Sequence, residues 1–226
     1  TDFGSNQFMR ENLKSLSTED FKVWVNYKHM LKECDYKILD GLVSKDEQDN
    51  FETLVTSQDF AWYLQNATVK KDIFEKHKNN YPNIIETPQL CHTFCHLVND
   101  VSEINSNLYQ YAFNLFNSLV THFQLNNLEV FRVKANLQMK CSNNTLDNHN
   151  TPHIDNNVRK HYVAIYYVNE SDGNTILFNE DYSIKVKVKP KKGRFVVFNG
   201  SILHTGSNPI DTDKRIVVNY NFNERI

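Results

Sequence analysis

Four side chains in the C-terminal third of this chain, His153, Asp155, His204 and Arg215, could together hold a metal ion and an organic acid. His153 and Asp155 are two positions apart, so in an extended segment both point to one face while Ile154 points to the other. Two imidazoles and one carboxylate fill one face of an octahedral metal and leave three positions open. A guanidinium beyond them can clasp the far carboxylate of a dicarboxylate bound there. An HxD tripeptide alone is a weak signal, because nine histidines scattered among many Asp and Asn residues produce one by chance. Taken alone, the tripeptide more often marks a polar loop histidine at His153; the alternative for Arg215 is a surface arginine paired with a carboxylate, and its offset from His204 favours the dicarboxylate role.

Context separates these readings. His153 precedes a strand-like run, His161 to Val168. His204 follows Phe195-Val196-Val197-Phe198, a buried-strand pattern ended by Asn199-Gly200, and Arg215 opens another strand, Ile216 to Phe222. All four groups therefore fall at strand ends, where a β-scaffold fixes them. HxD…H…R in that setting reads as a non-heme Fe(II) oxygenase that uses 2-oxoglutarate.

The flanking text resembles the iron- and 2-oxoglutarate-dependent dioxygenases of the prolyl hydroxylase type. His161 to Asn169, then Gly173-Asn174-Thr175-Ile176-Leu177-Phe178, is similar to that family's I-Y-Y-L-N strand and the hairpin after it. Val188 to Phe195 resembles its V-x-P-x-x-G segment, and Ser201 to Gly206 its S-x-x-H turn. The match runs in order from Phe131 to Phe222. Asp59 to Tyr63 and Arg132 to Leu137 further resemble small oxygenases of bacteriophages and other microbes. The resemblance implies Fe(II) held by His153, Asp155 and His204, with 2-oxoglutarate and O₂ as cosubstrates and ascorbate as an accessory reductant. It implies that Arg215 anchors the far carboxylate of 2-oxoglutarate. Tyr167 matches the tyrosine that shares this task, with core packing as the alternative, and Tyr166 then faces outward or into a helix layer. The implied reaction decarboxylates 2-oxoglutarate to succinate and CO₂ and hydroxylates a substrate. A peptidyl proline or another protein side chain is the first expectation, a free amino acid or small metabolite the second. A non-oxidative cupin-like metal-binding protein is the competing class; it would need the triad but not Arg215.

Two positions are less settled by pattern. The family places a tyrosine on the strand that begins near Leu128, and this chain has none between Leu128 and Pro152. Asn136, or else Arg132 or Lys134, is the candidate replacement as a cosubstrate anchor. From Arg215, period-2 alternation puts Val217, Asn219 and Asn221 on the same face. Asn219 is a candidate to touch cosubstrate or a ligand-bound water, or else half of a structural polar pair.

The elements that must position these groups follow from periodicity. Thr1 to Glu33 reads as partly amphipathic helix, Tyr36 to Val43 as strand, and Asp46 to Ser57 as helix with Ser44 as N-cap. Trp62 to Leu64 and Gln89 to Val98 are candidate strands, separated by a Lys- and Asn-rich connection. Asn107 to Phe123 carries one apolar stripe, Leu108, Tyr111, Ala112, Leu115, Leu119 and Val120, and reads as helix. From Leu128 onward the pattern is strand. The expected fold class is mainly β with flanking helices, a double-stranded β-helix (jelly-roll, cupin-like) core. Its 226 residues fit one domain, 1–226, in which 1–127 supplies helices and supporting strands and 128–226 the barrel with the metal site. Cys141 to Pro152, nearly all Asn, Ser, Thr and Asp, reads as a mobile lid in which His149 is solvated.

Composition narrows the partners. The net charge of −2 gives no electrostatic footprint for nucleic acid, and Lys185, Lys187 and Lys189 read as the solvated face of an edge strand. No apolar run approaches the length of a spanning helix, the opening residues are polar, and Cys34, Cys91, Cys95 and Cys141 show no C-x-x-C pairing. Reduced thiols in a cytoplasmic protein, acting on a peptide or small molecule away from membranes, are expected.

Overall fold

In this computed structural model, residues 35–81, 83–98, 101–142, 144–156 and 160–224 are described; the expected N-terminal helix of 1–33 lies outside them. Eleven strands and three helices are seen among these residues. In chain order they are β1 (Tyr36–Leu39), α1 (Lys45–Thr56), β2 (Tyr63–Gln65), α2 (Lys71–His77), β3 (Gln89–Val98), β4 (Val101–Ile104), α3 (Tyr109–Phe123), β5 (Leu128–Met139), β6 (Tyr162–Tyr167), β7 (Thr175–Phe178), β8 (Ile184–Val188), β9 (Phe195–Asn199), β10 (His204–Gly206) and β11 (Lys214–Glu224). The large sheet runs β1-β9-β6-β11-β5-β3-β2, with β4 added beside β3, and faces a small sheet, β10-β7-β8. Every strand pair is antiparallel. An isolated bridge between His153 and His204 adds the HxD segment to the edge of the small sheet at β10. Two facing sheets of this kind form the double-stranded β-helix, as the sequence pattern leads one to expect.

Local chemistry fixes the helices. Ser44 accepts from the Glu47 amide while the Glu47 carboxylate accepts from the Ser44 amide, a complete capping box at the start of α1. α3 stops where Gln124 turns left-handed (φ 51°), and the Leu125 amide closes back on the Val120 carbonyl. Ala112, Leu115, Phe116, Leu119 and Phe123 of α3 are buried on one side of the large sheet, with Phe51 and Val55 of α1. There Phe116 stacks on Tyr220 (4.8 Å), and the Tyr220 hydroxyl donates to the Ala112 carbonyl (2.7 Å). A second apolar cluster, Val163, Ile165, Tyr167, Leu177, Val188, Val196, Phe198 and Val217, fills the space between the two sheets.

Three expectations need correction. The first strand stops at Leu39, because Asp40 and Gly41 (φ +78°) turn the chain away. The Lys- and Asn-rich connection contains the helix α2, whose His77 packs near Tyr81. The loop before His153 is tied down: His149 is 5% exposed and packs between Tyr81 and Phe178, not in solvent. In the same loop Asn150 accepts from Thr87 and donates to Gly206 and Asn208, so a run of polar residues is here a buried hydrogen-bond network. Tyr166 does face the helix layer, edge-on to Phe51.

Candidate active site

His153, Asp155 and His204 converge: one ligand atom from each lies within 4.8 Å of the others. Their orientation is set by the backbone. His153 Nδ1 lies 3.0 Å from the Thr151 carbonyl, and His204 Nδ1 lies 3.0 Å from the Ile202 carbonyl. A carbonyl only accepts, so each ring carries its proton on Nδ1 and presents a bare Nε2 lone pair. The same two residues exchange backbone hydrogen bonds (3.0 and 3.1 Å), which holds the rings side by side. Both Nε2 atoms sit 3.7 Å from Asp155, one beside Oδ1 and the other beside Oδ2. That is too long for a hydrogen bond and leaves His204 Nε2 buried without a partner. Three groups aimed at one point, with an orphaned buried nitrogen among them, fit a divalent cation.

Asp155 is set by other strands. Its Oδ2 accepts from the side-chain amides of Asn219 (2.9 Å) and Asn221 (2.8 Å), and Arg132 reaches Oδ1 (3.2 Å). Burial by itself would raise this carboxyl's pKa, but Arg132, the two imidazoles and Asn221 hold it well below the usual carboxylate range. Burial lowers His204 to about 4, so the ring is neutral at physiological pH and its lone pair is available.

Arg215 lies at the other end of a cavity of about 70 Å³, room for several water-sized groups. It is 4% exposed. Nε donates to the Gly173 carbonyl (2.9 Å), Nη1 to Gln138 Oε1 (2.8 Å) and Nη2 to Thr175 Oγ1 (2.7 Å). All three acceptors are neutral. Burial pulls the pKa of this guanidinium down, and a buried cation fixed by neutral groups alone invites an anion. Space for one is kept by Gly206, where an added Cβ would lie 2.9 Å from Gln138 Oε1 and 3.1 Å from Arg215 Nη1.

The other expected residues fall as follows. Tyr167 is fully buried; its hydroxyl donates to Thr175 Oγ1 (2.6 Å) and the Arg215 guanidinium lies 5.9 Å from its ring, so it touches the arginine rather than lining the cavity. Asn219 holds Asp155, while its own Oδ1 is buried without a partner and it lines the cavity. Asn136 lines the cavity with its Oδ1 likewise unpartnered. Gln138 and Thr175 were not singled out from sequence. Alternation on β5 puts Gln138 on the face of Asn136, but its pairing with Arg215 needs the β5–β11 register, which no local pattern supplies.

The convergence of His153, Asp155 and His204 between two facing sheets is the arrangement that an iron- and 2-oxoglutarate-dependent oxygenase would need. Residues 138–223, under half of the chain, match the family model of the 2OG-Fe(II) oxygenase superfamily. Comparison with curated protein sequences gives no significant match. Among solved structures, a 2OG-Fe(II) oxygenase family oxidoreductase from Burkholderia pseudomallei is 10% identical with a TM-score of 0.65, covering 90% of this chain and 91% of that one. The epimerase SnoN of nogalamycin biosynthesis, in complex with Fe³⁺, alpha ketoglutarate and nogalamycin RO, is 8% identical with a TM-score of 0.58 (90% and 84% covered). A Trichoplax adhaerens prolyl hydroxylase, in complex with a hypoxia inducible factor peptide fragment, is 11% identical with a TM-score of 0.57 (92% and 94%). At these identities the likeness speaks for the fold. No helix among the described residues is long and apolar enough to cross a membrane.

Proposed function

We propose that residues 1–226 form one hydroxylase domain in which His153, Asp155 and His204 hold Fe(II), Arg215 anchors 2-oxoglutarate, and the substrate is a protein or peptide side chain. The observation that carries the cosubstrate role is the buried Arg215 guanidinium, whose hydrogen bonds all go to neutral acceptors at the end of the cavity away from Asp155. A purely metal-binding cupin would have no use for such a cation. Iron with 2-oxoglutarate and O₂ supplies oxidative decarboxylation to succinate and CO₂, coupled to hydroxylation of a C–H bond.

The chain's own residues do the rest. The Nδ1–H bonds to Thr151 and Ile202 fix each imidazole's tautomer and aim its Nε2. Asn219 and Asn221 stop the Asp155 carboxylate from rotating. Gln138, Thr175 and Gly173 hold the Arg215 fork flat, so that binding the far carboxylate needs no rearrangement. Tyr167 acts through Thr175 as a positioning residue. Asn136 and Asn219, each with a buried unpartnered oxygen, take hydrogen-bond donors of bound water or ligand.

The peptide reading draws on the family resemblance and on the Trichoplax enzyme, whose peptide complex uses the same fold. A second reading, a free amino acid or small metabolite, is favoured by the small cationic cavity and by SnoN, which carries a small-molecule ligand on that fold. Anaerobic addition of Fe(II) and 2-oxoglutarate tests the core of the proposal. A weak visible charge-transfer band is expected, absent in His153→Ala; a folded protein giving no band would sink it. Succinate release with peptides and with free amino acids then separates the two substrate readings.

A further inference from the structure

The cavity is lined by a second buried cation that forms no ion pair among the described residues. Lys134 is 8% exposed, and its ammonium donates to Gln65 Oε1 (2.8 Å), an amide oxygen already shared with Gln89. Arg132, two residues away on the same face of β5, bonds Asn221 Oδ1 (2.9 Å) and Asp155. Asp155 is an acid whose charge is felt at Lys134, yet it is occupied by Arg132 and two amides. Burial pulls Lys134 down to about 8, with Arg132 adding to the effect. An ammonium withdrawn from water and satisfied by a neutral amide alone is unfavourable until an anion joins it.

That anion is not accounted for by the cosubstrate. Lys134 pairs in register with Asn219, at the Asp155 end, while Gln138 pairs with Arg215. Four residue steps along the strand separate the two cationic ends by roughly 13 Å. The two charges of Fe(II) are matched by the two of 2-oxoglutarate, which leaves, among the described residues around the cavity, Arg132, Lys134 and Arg215 against the carboxylate of Asp155. We propose that a carboxylate of the substrate itself is seated between Lys134 and Arg132, so that the enzyme acts on a carboxylic acid whose reacting C–H is held beside the metal. This rests on the oxygenase reading above. The carboxylate belongs to a free amino acid or to an aspartyl or glutamyl side chain in a peptide, and the two sources share one chemistry.

The test uses the full chain loaded anaerobically with Fe(II) and 2-oxoglutarate, and thermal-shift titrations. Free L-amino acids are compared with their amides, and N-acetyl-aspartyl and N-acetyl-glutamyl methylamides with their asparaginyl and glutaminyl counterparts. At least one acid series should bind more tightly than its amide series by about 10-fold or more, and the series that does so identifies the source. Lys134→Met should erase that preference and Lys134→Arg restore much of it, while 2-oxoglutarate affinity, read from the charge-transfer band, stays within about 3-fold. Equal binding of acids and amides, including none by either, overturns the seat, as does a preference that survives Lys134→Met. Loss of 2-oxoglutarate affinity in that variant would assign Lys134 to the cosubstrate instead. Absence of the band in the wild type would remove the oxygenase reading itself, a failure distinguishable from the others.

Discussion

β11 has two faces that are equally hidden from solvent and chemically opposite. Ile216, Val218, Tyr220 and Phe222 meet the helices, while Arg215, Val217, Asn219 and Asn221 face the space between the sheets, and all eight are 7% exposed or less. Burial therefore does not tell the two faces apart. On the helix side each group finds what it needs within the protein: ring against ring, and the Tyr220 hydroxyl against a helix carbonyl. On the cavity side a guanidinium has only neutral acceptors, and an Asn219 oxygen has none. One face is complete as folded, and the other is complete only with ligands.

The largest effect expected from this contrast is on stability. Tyr220→Ala removes a fully buried ring and the bond to Ala112, and should lower unfolding free energy by about 3–5 kcal/mol, as large-to-small core changes do. Urea unfolding would measure it; 2-oxoglutarate affinity of the remaining folded protein should be nearly unchanged. Arg215→Met should do the reverse. It removes an uncompensated buried charge, so the melting temperature of the ligand-free protein should hold or rise. Binding of 2-oxoglutarate should weaken by about 2–4 kcal/mol. If Arg215→Met instead unfolds the chain while sparing 2-oxoglutarate, the division between the faces is wrong.

Much of that division was legible in the sequence, because alternation along a strand is a local property. It put Arg215, Asn219 and Asn221 together, and it put His153 with Asp155. Partners set by register were not legible. Gln138 reaches Arg215 only because β5 and β11 align at that pair, and Asn219 reaches Asp155 because the HxD segment crosses β11 there. His149 looked solvated because its neighbours in sequence are polar; its neighbours in space, Tyr81 and Phe178, are distant in the chain. The helix α2 was hidden for a related reason, since seven residues rich in charge carry little local signal and owe their helicity to packing.

A smaller effect would sharpen the picture of the cavity face. Asn221→Ala deletes one of the two amides that hold Asp155 Oδ2 and removes one side-chain partner of Arg132, which keeps Asp155. Groups that orient a metal ligand typically change metal affinity by about 10–100-fold, so Fe(II) binding followed by the charge-transfer band should weaken within that range. Stability should fall by about 2–3 kcal/mol, in the range of hydrogen bonds to charged groups. A loss of stability comparable to that of Tyr220→Ala would mean that Asn221 belongs with the completed face after all.

The smallest effect lies outside both faces, at Asp172, whose carboxylate accepts from the backbone amides of Ile210, Asp211 and Thr212 and from the Thr212 hydroxyl. It closes the turn leading into β11 and sits beside Gly173, whose carbonyl receives Arg215 Nε. Partial burial would raise this carboxyl, but the four donors outweigh it and hold the pKa well below the usual carboxylate range. A carboxyl depressed in the folded state contributes stability that is fully present above its unfolded value, near pH 4, and is lost as pH falls toward the folded one. Asp172→Asn, which offers those donors one neutral oxygen, should therefore destabilise the protein by about 1–2 kcal/mol at pH 7. The gap to wild type should narrow steadily below about pH 4. Urea midpoints at pH 7, 5 and 3.5 would trace it, and a gap that instead widened in acid would show that Asp172 is protonated in the fold and that the turn before Arg215 is held by something else.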